Sequence, residues 1–238
     1  MRTSSSKRPH GVFSFSSSVF NATTGQPTFP LTTRSKWEHI DPDRLLLNAV
    51  RKIETPCDCC TTTMIHDMLN LPITKGNISI LVVASMIGYE HGVRMFLKHG
   101  ANIEMAAITG DTPLLAALKF RSFAVIPILL AHGADIHVRD QRGETALHTM
   151  ASENMCELVE VFVERGADVN AQNNTGCTPL HVAAYCEKID MIRTLLRRGA
   201  RTDIVDSTNC TPLDLALRRT NHRVIVELIL RPLFISSI

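Results

Sequence analysis

The chain is short of several things, and each shortage narrows what it can do. Long apolar runs are missing: the longest, Ile78–Gly88, holds 11 residues, where a bilayer-spanning helix needs about 20. The stretch Gly11–Phe20 alternates Phe or Val with Ser, which is not the continuous apolar core of a secretory signal. Cysteine is sparse, with seven in 238 residues. That is too few, and odd in number, for a disulfide framework, so a reducing compartment, cytoplasm and/or nucleus, is expected. Neither G-x-x-x-x-G-K nor G-x-G-x-x-G occurs, so the common phosphate-cradling loops are absent.

Acid is also absent from the first 37 residues, which carry Arg2, Lys7, Arg8, Arg34 and Lys36 for a charge of +5. With the whole chain at +2, the rest is slightly acidic at −3. Residues 1–36 are rich in Ser, Thr, Pro and Gly without helical or strand periodicity, and a disordered segment is expected there. An organelle transit peptide is the alternative, weakened by Pro9, Pro27 and Pro30. Residues 37–73 hold two short apolar stripes, Leu45, Leu46, Leu47, Ala49 and Val50, then Met64, Ile65, Met68, Leu69 and Leu71. They read as two degenerate capping helices.

What the chain has in quantity is period. Ser79, Thr112, Thr145, Thr178 and Thr211 are each 33 residues apart, as are Gly100, Gly133, Gly166 and Gly199. Val93, Ile126, Val159, Ile192 and Ile225 keep the same interval. A strict period of this length belongs to a stacked solenoid, whose units bury a continuous core only against their neighbours. Within 173–205, Thr178 can cap a helix and Pro179 suits its first position. Leu180, Ala183 and Ala184 form a small apolar face. Asp190 heads a second helix, Ile192, Leu195 and Leu196 form its buried stripe, Arg197 and Arg198 lie in its last turn, and Gly199 stops it.

These units resemble the ankyrin repeat. The residues that carry the resemblance are Asp140-Gln-Arg-Gly143-Glu-Thr145-Ala-Leu-His148, Asn173-Asn-Thr-Gly176-Cys-Thr178-Pro-Leu-His181, and the helix ends Gly133-Ala-Asp135 and Gly166-Ala-Asp168-Val-Asn170-Ala. The resemblance covers 74–230 strongly and 41–73 weakly. It implies an all-α solenoid of antiparallel helix pairs with hairpin-like fingers, about five repeats (74–106, 107–139, 140–172, 173–205 and 206–230) after a degenerate N-terminal capping repeat. It also implies a concave groove of fingers and first helices that binds other proteins. The apolar tail 231–238 is expected to cover the last repeat. Departures are the Ser79-Ile-Leu-Val82, Thr112-Pro-Leu-Leu115 and Thr211-Pro-Leu-Asp214 variants, Ala107 in place of a finger Asp, and Asn209 in place of the turn glycine. Pro127 falls within a second helix and predicts shortening or a kink. The units over 140–205 should be the most stable and the first two the most mobile.

Candidates for chemistry each have a plainer reading. The resemblance implies that His148 and His181 hydrogen-bond Thr145 and Thr178 and nearby loop backbone, a structural role. Cys177 lies four residues before His181, yet occupies a finger position expected to be exposed, with no third residue to orient a thiol–imidazole pair. Cys57, Cys59 and Cys60 with His66 leave three options open: a plain loop, a redox-sensitive loop, or a zinc site lacking its second Cys-x-x-Cys-type knuckle. Arg193, Arg197, Arg198, Arg201, Arg218, Arg219, Arg223 and Arg231 crowd the C-terminal end, interleaved with Asp203, Asp206, Asp214 and Glu227. They form either a solvated capping face or a site for an acidic partner segment. Nucleic acid is disfavoured because no aromatic residues lie between these arginines.

The repeat register selects the side chains expected to face the groove. They are Met86, Ile87, Ile108, Thr109, Asp111, Lys119, Phe120, Gln141, Arg142, Glu144, Ser152, Glu153, Asn174, Thr175, Cys177, Tyr185, Cys186, Ser207, Thr208, Arg218 and Arg219. The function expected is a non-catalytic protein-interaction module, adaptor or inhibitor. Regulation of transcription by masking a factor, or substrate reception for a ubiquitin ligase, stand as alternatives. No cofactor, small-molecule substrate or membrane is expected, and the isolated chain is expected to be a monomer.

Overall fold

The computed structural model describes residues 66, 67, 69–72, 78–218, 224 and 228. The segment 1–36, nearly all of 37–73 with Cys57, Cys59 and Cys60, Arg219, Arg223 and the 231–238 tail lie outside the described residues. Among the described residues there is no strand. The helices are α1 (Ile80–Ile87), α2 (Glu90–Lys98), α3 (Pro113–Lys119), α4 (Ile126–Ala131), α5 (Ala146–Glu153), α6 (Cys156–Glu164), α7 (Pro179–Tyr185), α8 (Ile189–Arg197) and α9 (Pro212–Arg218).

The 33-residue hydroxyl register starts the first helix of each pair. Ser79 Oγ, Thr112 Oγ1 and Thr178 Oγ1 accept from the N–H groups of Val82, Leu115 and His181 at 3.3, 3.4 and 3.4 Å, relieving donors that an N-terminal turn leaves unpaired. Pro113, Pro179 and Pro212 open their helices, where a missing N–H is harmless. Each second helix ends in a left-handed glycine: Gly100, Gly133, Gly166 and Gly199 have φ between +84° and +96°. Pro127 acts as predicted. It stands second in α4, which runs only 6 residues where α2, α6 and α8 run 9. The helix starts late enough that the proline ring meets no carbonyl of a preceding turn.

The first helices pack in chain order, α1 on α3, α3 on α5, α5 on α7 and α7 on α9. One register of them reads Ala84, Ala117, Met150, Ala183, Ala216, all buried, and the small side chains permit close approach. Among the second helices α2 packs on α4 and α6 on α8, whereas α4 and the neighbouring α6 meet only weakly. The core is one cluster running through every pair, with Phe96, Leu118, Leu129, Met150, Phe162, Leu180 and Leu195 among its buried members.

Candidate protein-binding face

Between the helix pairs the chain makes short fingers, and the fingers bond to one another. Gln141, Asn174 and Ser207 N–H donate to the carbonyls of Thr109, Arg142 and Thr175 at 3.2, 2.9 and 2.9 Å, a rung every 33 residues. Side chains add to this: Gln141 Nε2 donates to Ile108 O, and Asn174 Nδ2 to Gln141 O at 2.9 Å. Inside each finger, an acid or amide oxygen organises the turn. Asp140 Oδ1 accepts from Arg142 and Glu144 N–H, Asn173 Oδ1 from Thr175 and Cys177, and Asp206 Oδ1 from Thr208 and Cys210. Ala107, at that position in the preceding finger, has no oxygen to offer. The fingers close so tightly that a Cβ at Gly143 would stand 2.9 Å from Asn174 N. Asn209, at the same position in the last described finger, keeps φ +56° with its side chain in place.

His148 and His181 are struts. Thr145 N–H donates to His148 Nδ1 at 3.2 Å, so that nitrogen is an acceptor and Nε2 carries the proton, donating to Cys177 O of the next unit at 2.9 Å. His181 repeats the pattern with Thr178 N–H at 3.1 Å and Cys210 O at 3.1 Å. Burial drives the His148 pKa down to about 4 against the pull of the Cys177 carbonyl, and burial lowers His181 in the same sense. Both rings are neutral bridges between units. Asp214 replaces this histidine at the end of the register, and its Oδ2 accepts from Thr211 N–H and Oγ1 at 2.8 and 2.7 Å, within its own unit.

The residues expected at the groove divide into two sets. Ile87, Ile108, Phe120, Gln141, Asn174, Thr175, Ser207, Thr208 and Arg218 are exposed; Met86, Thr109, Glu153, Tyr185 and Cys186 are half-buried. Asp111, Lys119 and Arg142 are half-buried too, held in ion pairs. Lys119 Nζ lies 2.5 Å from Asp111 Oδ1 and 2.8 Å from Asp140 Oδ2, and Arg142 lies 2.8 Å from Glu144 Oε2. Burial pulls the Lys119 pKa down, but Asp111 and Asp140 outweigh it and hold the ammonium above its usual value. Asp140 is held below its usual value because Lys119 outweighs its burial. Glu144, buried beside Asp140, is pushed up despite Arg142. Glu144 and Ser152 correct the expectation of exposed groove positions. Both are buried, Glu144 by its Arg142 pairing and its place under the finger, Ser152 because its Oγ donates to Thr149 O inside α5. Cys177, expected to be exposed, is half-buried, and burial pushes its thiol pKa up, away from nucleophilic use.

Two residues of this face were missed from sequence. Phe123 is exposed, and the Arg121 guanidinium sits 5.6 Å from its ring centroid. Arg121 also reaches Glu153 Oε2 at 3.2 Å on the next helix pair. Pro127 was the available signal: by starting α4 late it leaves 121–125 as loop and turns Phe123 outward.

No helix of the described residues is long and apolar enough to cross a membrane. No curated protein matches the chain. A family model described as ankyrin repeats (3 copies) matches residues 46–140, 128–206 and 147–235. Such repeats generally serve as protein–protein interaction modules and are typically non-catalytic. The three matches together span most of the sequence, and the chain belongs to the ankyrin repeat family.

Proposed function

We propose that this chain is a non-catalytic interaction module, an adaptor or inhibitor, that holds a segment of a partner protein against its finger tips and first-helix ends. One observation carries the reading. Beneath the face the hydroxyl caps, the helix-ending glycines and the core stripe recur every 33 residues, but the outer registers do not: the tips read Ile108, Gln141, Asn174, Ser207, and the helix ends Ile87, Phe120, Glu153, Cys186. Side chains that vary from unit to unit along this face are what a specific partner can read. His148, His181 and Lys119 are already engaged. Arg218, exposed at the far end, suits an acidic contact on the partner.

The test is affinity capture on the full chain against a variant carrying Phe120→Asp and Asn174→Arg, with captured proteins identified by mass spectrometry. A partner recovered by the native chain and lost with the variant supports the reading. Its identity separates a masked transcription factor from a ligase scaffold. Partners held equally by both would overturn use of this face.

A further inference from the structure

We propose that the end of the face over α1 and α3 receives an uncharged partner segment anchored by one bulky aliphatic or aromatic side chain on Ile87, Phe120 and Ile108. This rests on the interaction-module reading above and gives that site a ligand chemistry. The three residues are 45, 39 and 61 % exposed, and two contacts link the elements that carry them. Ser122 Oγ donates to Met86 O at 2.7 Å, which joins the ends of α1 and α3 and so Ile87 to Phe120. Lys119, the neighbour of Phe120, reaches Asp111 at 2.5 Å, which ties the finger carrying Ile108 to that helix. Exposed Phe123 extends the patch. Further along, the same registers turn polar or small, with Glu153 and Cys186 at the helix ends and Gln141, Asn174 and Ser207 at the tips.

Charge selects the occupant. Among the described residues the cations beside the patch already have their acids: Lys119 has Asp111 and Asp140, Arg121 has Glu153, and Arg142 has Glu144. A charged partner side chain would have to displace one member of a partly buried pair and strand the other, which is costly. An uncharged apolar group gains by covering exposed carbon and disturbs no pair. The acidic contact suited to Arg218 falls at the other end, so the two together would fix the direction of the bound segment.

A displayed library of random dodecapeptides, selected on the full-length chain, tests this, with enriched peptides measured by fluorescence anisotropy. The expected peptides share one bulky apolar residue flanked by uncharged ones. Their affinity should fall at least about tenfold in Phe120→Ser and in Ile108→Ser, both exposed positions whose loss leaves the fold intact by circular dichroism. It should change less than about twofold between roughly 0.05 and 0.5 M salt. Enriched peptides whose affinity collapses with salt, or which ignore Phe120 and Ile108, overturn the apolar anchor while the module reading stands. A selection that enriches nothing also overturns the anchor, whereas the module reading fails only if whole partners bind the face variant as well as the native chain.

Discussion

Gly133 and Gly143 share a left-handed backbone, φ +84° and +71°, but not a neighbourhood. A Cβ at Gly133 would meet nothing within 4 Å; at Gly143 it would stand 2.4 Å from Asn174 Oδ1 and 2.9 Å from Asn174 N. Gly133→Ala should therefore lose about 1 kcal/mol, the left-handed penalty alone. Gly143→Ala should lose about 3 kcal/mol, because the next finger must also retreat. Equal shifts in urea midpoint would show that the finger ladder yields freely. The histidines give a second prediction at this scale. His148 has a folded pKa of about 4 against an ordinary 6.5, so the unfolded chain binds its proton first. Its stabilising contribution is complete above pH 6.5 and drains away as pH falls toward 4, by roughly 3 kcal/mol. His181, lowered by burial, adds in the same direction. Glu144, raised by burial, works in the opposite sense. Urea unfolding from pH 7 to 4 should show this loss, and a His148→Gln, His181→Gln chain should lose much less over that window. Parallel profiles would mean the rings are not neutral struts.

The loops leading from the second helices into the next finger are tied to their neighbours by side chains, with one tie missing. Asn70 Oδ1 accepts from Asn102 N–H at 2.7 Å, Glu104 Oε1 from Asp135 N–H at 2.8 Å, and Asn170 Oδ1 from Arg201 N–H at 2.8 Å. Glu104, His137 and Asn170 share a register, and His137 makes no such bond to Asp168 N–H among the described residues. A cleft of about 110 Å³ lies there, lined by His137, Arg139, Thr145 and Asp168 among others. His137→Asn should restore the rung and raise stability by about 1 kcal/mol. An unchanged urea midpoint would mean that water already satisfies Asp168. At this scale the 33-residue period made much of the fold readable. Thr-Pro pairs announce helix starts, glycines announce ends, Pro127 announces a short α4, and Asn209 tolerates the turn of a glycine. The period reports only like-with-like neighbours, residue i against i+33. Lys119 joins Asp111, 8 residues back, and Asp140, 21 ahead, and Arg121 joins Glu153, 32 ahead. Such off-register pairings depend on how far a finger folds back, so the burial of Glu144 was not legible, whereas the exposure of Phe123 follows from the late start of α4 next to Pro127.

Across the whole stack the ties are unevenly distributed. From α5 to α9 each junction combines packed first helices, a finger rung and a buried histidine strut, and Arg198 pairs with Glu160 between α8 and α6. At the junction between the α3–α4 pair and the α5–α6 pair, Leu115 stands where a strut histidine would be, and the shortened α4 scarcely touches α6. What remains there is the packing of α3 on α5, the finger rung, Arg121 with Glu153, and above all Lys119 with Asp140. In a linear stack, stability is close to a sum of unit and junction terms, so the weakest junction decides where the molecule parts. Amides of α1–α4 should exchange with a lower opening free energy than those of α5–α8. Lys119→Met should widen the gap, because it strands Asp140, whose side chain is only 3 % exposed, against Asp111. A loss of about 2 kcal/mol is expected, below the range for a fully buried pair since Lys119 is partly open to water. That loss should appear in the exchange of α1–α4 and leave α7 and α8 within about 0.5 kcal/mol of their native values. Hydrogen exchange at rising urea, read by mass spectrometry on native and Lys119→Met chains, measures both. If all helices open together with one free energy and the substitution lowers them equally, the stack is a single cooperative unit and the Lys119 bridge is no more than one contact among many.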